Sequence, residues 1–257
     1  MATLKACLRL CCGVPPERSG IFSAGNGPAM RSAILGVCCD GDINRLRDWV
    51  RISTRISHTD PKAEAGAFAV ALAAYFSAKG ESADREKFIS VLALSGSDTT
   101  AYQELVGLIR RASRSAEAGE SAEQYAISMG MEKGISGYMF HTVPVVIQVW
   151  FKGEDYRTAV SDIIRCGGDT DSTAAILGGI IGAHGRSEVP SEWVGRLSDW
   201  PRSVRWMEAL SHRLADAIQS QEPGPRLTLS FPLTLIRNLF FFGVIMVHVV
   251  RRMLPPY

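Results

Sequence analysis

Apolar residues in this chain recur at helical spacing and almost nowhere at the period of two that a half-buried strand requires. No stretch of clean alternation is bounded by hairpin turns, which points to an all-α fold. Segment 61–79 reads as a long Ala-rich helix, with Asp60 as its N-cap, Pro61 at its first position and Gly80 at its end. Further helices are predicted over 28–39, 85–94, 99–115, 121–129, 139–152, 156–165, 172–184, 202–221 and 232–253. An amphipathic helix is predicted to end before Pro15-Pro16. Several are too apolar for a surface and are expected to cross the middle of a bundle. The linker Gln221-Glu222-Pro223-Gly224-Pro225 separates a single helical domain over 1–221 from a C-terminal apolar helix within 226–257.

Composition excludes some functions. Hydrophobic residues make up 46% of the chain, enough for a sizeable core. With 28 basic against 26 acidic side chains there is no excess of positive charge, and no nucleic-acid partner is expected. Cys7, Cys11, Cys12, Cys38, Cys39 and Cys166 include two adjacent pairs and no C-x-x-C, which fits neither a zinc site nor a disulfide framework. They read as small apolar residues of a reduced, cytoplasmic protein. Arg9 interrupts the N-terminal apolar stretch and no small-residue cleavage site follows, so a secretion signal is not expected. Near the C-terminus the charge-free run from Asn238 to Val250 is too short to span a bilayer, which takes about 20 residues. Counting from Phe231 reaches that length but places Arg237 inside. Docking on protein, interfacial attachment and spanning all stay open.

Two segments carry chemistry. In Cys166-Gly-Gly-Asp-Thr-Asp-Ser-Thr, Asp169 and Asp171 stand two apart with Ser172 next, where a helix should begin. In a tight turn these oxygens could converge on a hard cation such as Mg²⁺ or Mn²⁺. Asp171 could equally be a plain N-cap and Asp169 a solvated turn residue. The loop Phe22-Ser-Ala-Gly-Asn-Gly-Pro-Ala-Met-Arg31 runs into a helix expected at Pro28, and its glycines would let backbone N–H groups approach a phosphate or ribose. An ordinary turn has the same composition.

The order G-N-G-x-A-M-R, H-T-D-P before a small-residue helix, G-I-S-G-Y, then G-G-D-T-D-S resembles the ADP-ribosylglycohydrolase family, over residues 20 to 185. The resemblance implies an all-α bundle whose cleft holds two Mg²⁺ or Mn²⁺ ions against the terminal ribose of ADP-ribose. It implies hydrolysis of the bond between ADP-ribose and a modified protein, or a small ADP-ribose derivative, by metal-activated water. Carried over by position, Asp169, Asp171 and Ser172 match metal ligands, with serine where the family commonly has threonine. Ser23, Ala24, Gly25, Asn26 and Gly27 match the segment that wraps the diphosphate. His58 matches a histidine near the adenosine, and Gly134, Ile135, Ser136 and Tyr138 match a cleft-lining segment. The family also has G-D-A-x-G and T-D-D-T segments that supply the rest of the metal site and the acid–base chemistry, and neither occurs in this sequence. The catalytic residues are expected in those segments, and the bundle is expected to lack its first helices. Ser97-Asp98-Thr99-Thr100 falls in the wrong order for T-D-D-T and reads as a helix N-cap. The alternative is a protein that binds ADP-ribose without turning it over, or a vestigial structural one.

Overall fold

The computed structural model describes residues 2–80, 84–96, 99–185, 188–222 and 224–253, folded as two units, 1–189 and 190–257. Ser97, Asp98 and Pro223 lie outside the described residues. The first unit runs through α1 (Ala2–Cys11), α2 (Pro16–Ser19), a 3-10 turn (Ala29–Arg31), α3 (Ala33–Val37), α4 (Ile43–Arg55) and α5 (Pro61–Ala78). It continues through α6 (Arg85–Ser95), α7 (Thr100–Glu117), α8 (Ala122–Ser128), α9 (Met139–Lys152), α10 (Tyr156–Arg165) and α11 (Thr170–Gly182). No strand occurs among the described residues, and three isolated bridges are their only β-pairing.

Helix α5 is the axis of the first unit. Asp60 caps it by accepting from the Lys62 N–H at 2.8 Å, and Pro61 begins it at no cost in hydrogen bonds. Alanine, the best helix former, supplies eight of its 18 residues, so helix propensity and burial act together. It is apolar on every side and buried on every side, against α3, α4, α7, α9 and α11. Small residues set how near those neighbours come. A Cβ on Gly36 of α3 would strike the backbone carbonyl of Ala71, and one on Gly66 would meet the Met139 side chain. Helix α9 is the second central element, with 143–151 buried throughout. Trp150 donates to the Ser77 hydroxyl at 2.9 Å, and its ring meets Phe88 edge-on at 5.1 Å.

Two of the longer stretches of the first unit depart from the sequence-based expectation, and the four-residue α2 was not predicted either. The helix predicted over 28–39 is a 3-10 turn followed by five residues of α3. At the break, the Ser32 hydroxyl donates to the Pro28 carbonyl at 2.7 Å, a side-chain bond that competes with regular helix. Helix α4 was not predicted. It buries Leu46, Val50 and Thr54, and Asp42 caps it by accepting from the Arg45 N–H at 3.0 Å.

The second unit contains α12 (Ser191–Val194), α13 (Val204–Ser220) and α14 (Phe231–Met253). Ser203 caps α13 by accepting from the Trp206 N–H at 3.3 Å. The linker at 221–225 lies inside this unit, between α13 and α14.

Candidate active site

Three segments distant in sequence are bonded together at the start of α9 and α11. Ile135 donates its N–H to the Gly167 carbonyl at 3.1 Å, and Asp169 returns one to Ile135 at 2.7 Å. Asn26 donates its backbone N–H to Gly137 at 2.9 Å, and Met139 donates to Ala24 at 2.8 Å. The phosphate-type loop therefore lies against 135–139, which lies against 167–169. Glycine makes the second crossing possible. Gly134, Gly167 and Gly168 have φ of +98°, +69° and +78°, and a Cβ on Gly168 would overlap the backbone of Ile135.

One side chain joins all three segments. Asn26, 7% exposed, donates from Nδ2 to Asp169 Oδ2 at 2.7 Å and to Thr142 Oγ1 at 3.0 Å. Thr142, fully buried, passes its own hydroxyl proton to the Ser136 carbonyl at 3.1 Å. Asp169 occupies the N-cap position of α11, yet its side chain makes no capping bond. Its half-buried carboxylate instead accepts from Asn26. Asp171 is exposed in the first turn of α11 and Ser172 is buried beside it.

His58 sits behind the loop. It is 3% exposed, pairs with Ile21 in an isolated bridge, and shares a proton between Nδ1 and Ser57 Oγ at 2.9 Å. Its imidazole edge underlies both loop glycines: Cβ atoms there would lie 3.2 Å from Nε2 at Gly25 and 3.3 Å from Cε1 at Gly27. Arg31 completes the support, donating to the Gly27 carbonyl at 3.0 Å, the Ser53 carbonyl at 2.9 Å and the Ser57 hydroxyl at 2.5 Å. Burial lowers the pKa of this guanidinium. Burial, and then the Arg31 charge, push His58 down to about 4. Its folded pKa lies below the ordinary value near 6.5, so neutral His58 contributes its full stability above pH ~6.5, and that contribution falls as pH drops toward ~4. Chemical denaturation at a series of pH values is expected to show a loss on the order of 2 kcal/mol across that window, much reduced in His58→Gln.

The opposite wall is Tyr138. Its hydroxyl accepts from Lys62 Nζ at 3.1 Å, Lys62 also pairs with Glu104 at 2.7 Å, and the ring meets His141 edge-on at 5.0 Å. The Ser136 hydroxyl and His141 Nδ1 are 2.9 Å apart. Ser23 accepts from the Gly25 N–H at 3.3 Å, which shapes the loop from within. Arg31, Thr142 and His141 are the contributors that sequence reading left out. Arg31 stood inside the G-N-G-x-A-M-R motif, and Thr142 was a polar residue in an otherwise apolar helix.

Whether these residues suit a divalent cation depends on their donors. Two carboxylates and a hydroxyl are the hard oxygen ligands that Mg²⁺ and Mn²⁺ prefer, so the set fits one side of such a site. Among the described residues no group of three or more His, Cys, Asp or Glu gathers around a common point.

The ADP-ribosylglycohydrolase family model matches residues 1–224. A protein of Archaeoglobus fulgidus is 33% identical over 199 residues, covering 77% of this chain and 61% of that protein. An ADP-ribosyl-[dinitrogen reductase] glycohydrolase of Rhodospirillum rubrum is 25% identical over 177 residues, 68% of this chain and 51% of the relative. An ADP-ribosylhydrolase of Bos taurus is 28% identical over 198 residues, 68% of this chain and 54% of the relative. The chain thus spans between half and two thirds of the length of these relatives. The match takes in every helix of the first unit and the three segments that Asn26 ties together: the chain belongs to the ADP-ribosylglycohydrolase family.

Proposed function

We propose that this site binds the ADP-ribosyl group of a modified protein, or of a small ADP-ribose derivative, and hydrolyses its bond to the acceptor. The observation that carries the reading is the pair of hydrogen bonds that Asn26 donates to Asp169 and Thr142, which sets the Ser23–Gly27 loop beside the Asp169–Ser172 turn. The diphosphate would lie along Ser23, Ala24, Gly25 and Gly27, where the missing glycine side chains let His58 pack against the loop and Arg31 stiffens it further. The ribose end would face Asp169, Asp171 and Ser172. Gly134, Ile135, Ser136 and Tyr138 would form the far wall, with the Tyr138 ring available for stacking.

Asp169, Asp171 and Ser172 would hold Mg²⁺ or Mn²⁺, which when bound supplies Lewis-acid polarisation and lowers the pKa of a bound water. Asn26 fixes the orientation of the Asp169 carboxylate by taking one of its oxygens. Thr142 in turn fixes Asn26, so this orientation needs no rearrangement when substrate arrives. Six free cysteines agree with a reducing, cytoplasmic setting.

A second reading, binding without turnover, is favoured by one observation: the described residues bring no third acidic or imidazole ligand to the Asp169–Asp171 pair. One pair of assays separates the two. Calorimetric titration of ADP-ribose with and without MgCl₂ is expected to show binding that strengthens at least about tenfold with the cation. Release of ADP-ribose from an ADP-ribosylated protein under the same conditions identifies a hydrolase. Magnesium-strengthened binding with no release identifies the binding protein, and no binding at all sinks both.

A further inference from the structure

Helix α14 lies beyond the residues that the family model matches, and α5 shows what is unusual about it. Both helices are long and mostly apolar. Helix α5 is buried under its neighbours, whereas α14 has no buried residue at all. Among the described residues α14 is the one helix long and apolar enough to cross a membrane. Its 23 residues extend about 35 Å at 1.5 Å per residue, against a hydrocarbon core of about 30 Å.

We infer that α14 inserts into a lipid bilayer and anchors this protein to it. The distribution of its exposed side chains selects lipid over a protein partner. Leu239, Phe240, Phe242, Ile245 and Val247 are each more than half exposed. At ~100° per residue they spread over about 220° of the circumference, far more than one partner helix covers. A second copy, or any single partner helix, would cover one stripe and leave the others in water. Only a surrounding apolar solvent covers them all.

Arg237, the charge that divides the apolar sequence, is already neutralised. Its guanidinium forms a two-pronged pair with Asp199, with Nε to Oδ1 and Nη2 to Oδ2 both at 3.1 Å, and lies 4.5 Å from the centroid of the Phe241 ring. A charge presented to a membrane in this paired form costs far less than a bare one. Trp200, next to Asp199, is 48% exposed and has the amphipathic ring that settles at headgroup depth. Arg251 and Arg252 close the far end, where anionic headgroups would receive them.

Flotation of the purified full chain with vesicles tests the anchor. Vesicles of phosphatidylcholine alone, and of phosphatidylcholine with phosphatidylserine, are both expected to carry the protein upward and to keep it in ~1 M NaCl, where electrostatic attraction is screened within ~3 Å. The double variant Phe242→Asp/Ile245→Asp alters only exposed positions, so its helical circular dichroism should be unchanged. Its partition into either vesicle is expected to fall by about a hundredfold or more. Three results would overturn the inference: protein that stays below both vesicle types, flotation with phosphatidylserine that salt reverses, or a soluble dimer that the double variant dissociates and that does not float.

Discussion

Asp169→Ala is expected to weaken the binding of ADP-ribose in the presence of Mg²⁺ by about a hundredfold or more, while leaving the weaker, cation-independent binding within about threefold of the parent. The two effects separate because Asp169 would hold the ion, while the loop Ser23–Gly27 and its supports His58 and Arg31 are unaltered. Asp171→Ala should show the same loss of magnesium dependence with no change in stability, since Asp171 is exposed and lies at the open start of α11. Asn26→Ala provides the graded case. It removes the donor that orients Asp169 and leaves Thr142 one bond poorer, so cation affinity is expected to fall about 10- to 100-fold without vanishing. Calorimetry with MgCl₂ present and absent reads all three. Magnesium dependence that survives Asp169→Ala would mean that the cation sits elsewhere, and that Asp169 serves only to hold Asn26.

Gly168→Ala is expected to cause the largest loss of stability from a single methyl group near the site. The backbone at Gly168 has φ of +78°, a conformation that costs an L-residue about 1–2 kcal/mol. The added Cβ would also meet the backbone of Ile135, which cannot turn aside as a flexible side chain could. The exchange of hydrogen bonds among Ile135, Gly167 and Asp169 must therefore open. The combined penalty is about 3 kcal/mol or more, a fall in Tm of roughly 10 °C for a unit of this size. Thermal unfolding followed by circular dichroism should show it. Gly107→Ala is the control. Gly107 is exposed in the interior of α7 with nothing within 4 Å of an added Cβ, so alanine there is expected to stabilise by about 0.5–1 kcal/mol. Equal and small effects at both positions would show that 135 and 168 are not held as closely as described.

Much of the helical frame was legible because its signals are local. Asp60, Pro61 and the alanines that follow specify α5 without reference to any other element. The helices α6 to α10 and α13 begin and end within a few residues of their sequence-based bounds, since caps and turns are set by near neighbours. Helix α4 is legible on the same local terms, since Asp42 caps it and Ile43, Leu46 and Val50 fall at helical spacing. The break at Ser32 escaped notice because the same residues, away from α5, have every reason to continue as helix.

The candidate site divides in the same way. The sequence alone determined the family pattern, the hard-oxygen character of Asp169, Asp171 and Ser172, and the glycines that a close backbone approach requires, because these reside in residue type and short spacing. It could not determine that Asn26 reaches Asp169 across 143 positions, or that His58 buttresses the loop from behind. Nor could it settle whether the long apolar helix would be covered, as α5 is, or left bare, as α14 is. Those outcomes belong to the tertiary structure, for a physical reason. A cap or a helix is decided by bonds within a few residues, whereas the partner of a carboxylate or of an apolar face depends on which distant segments packing brings together.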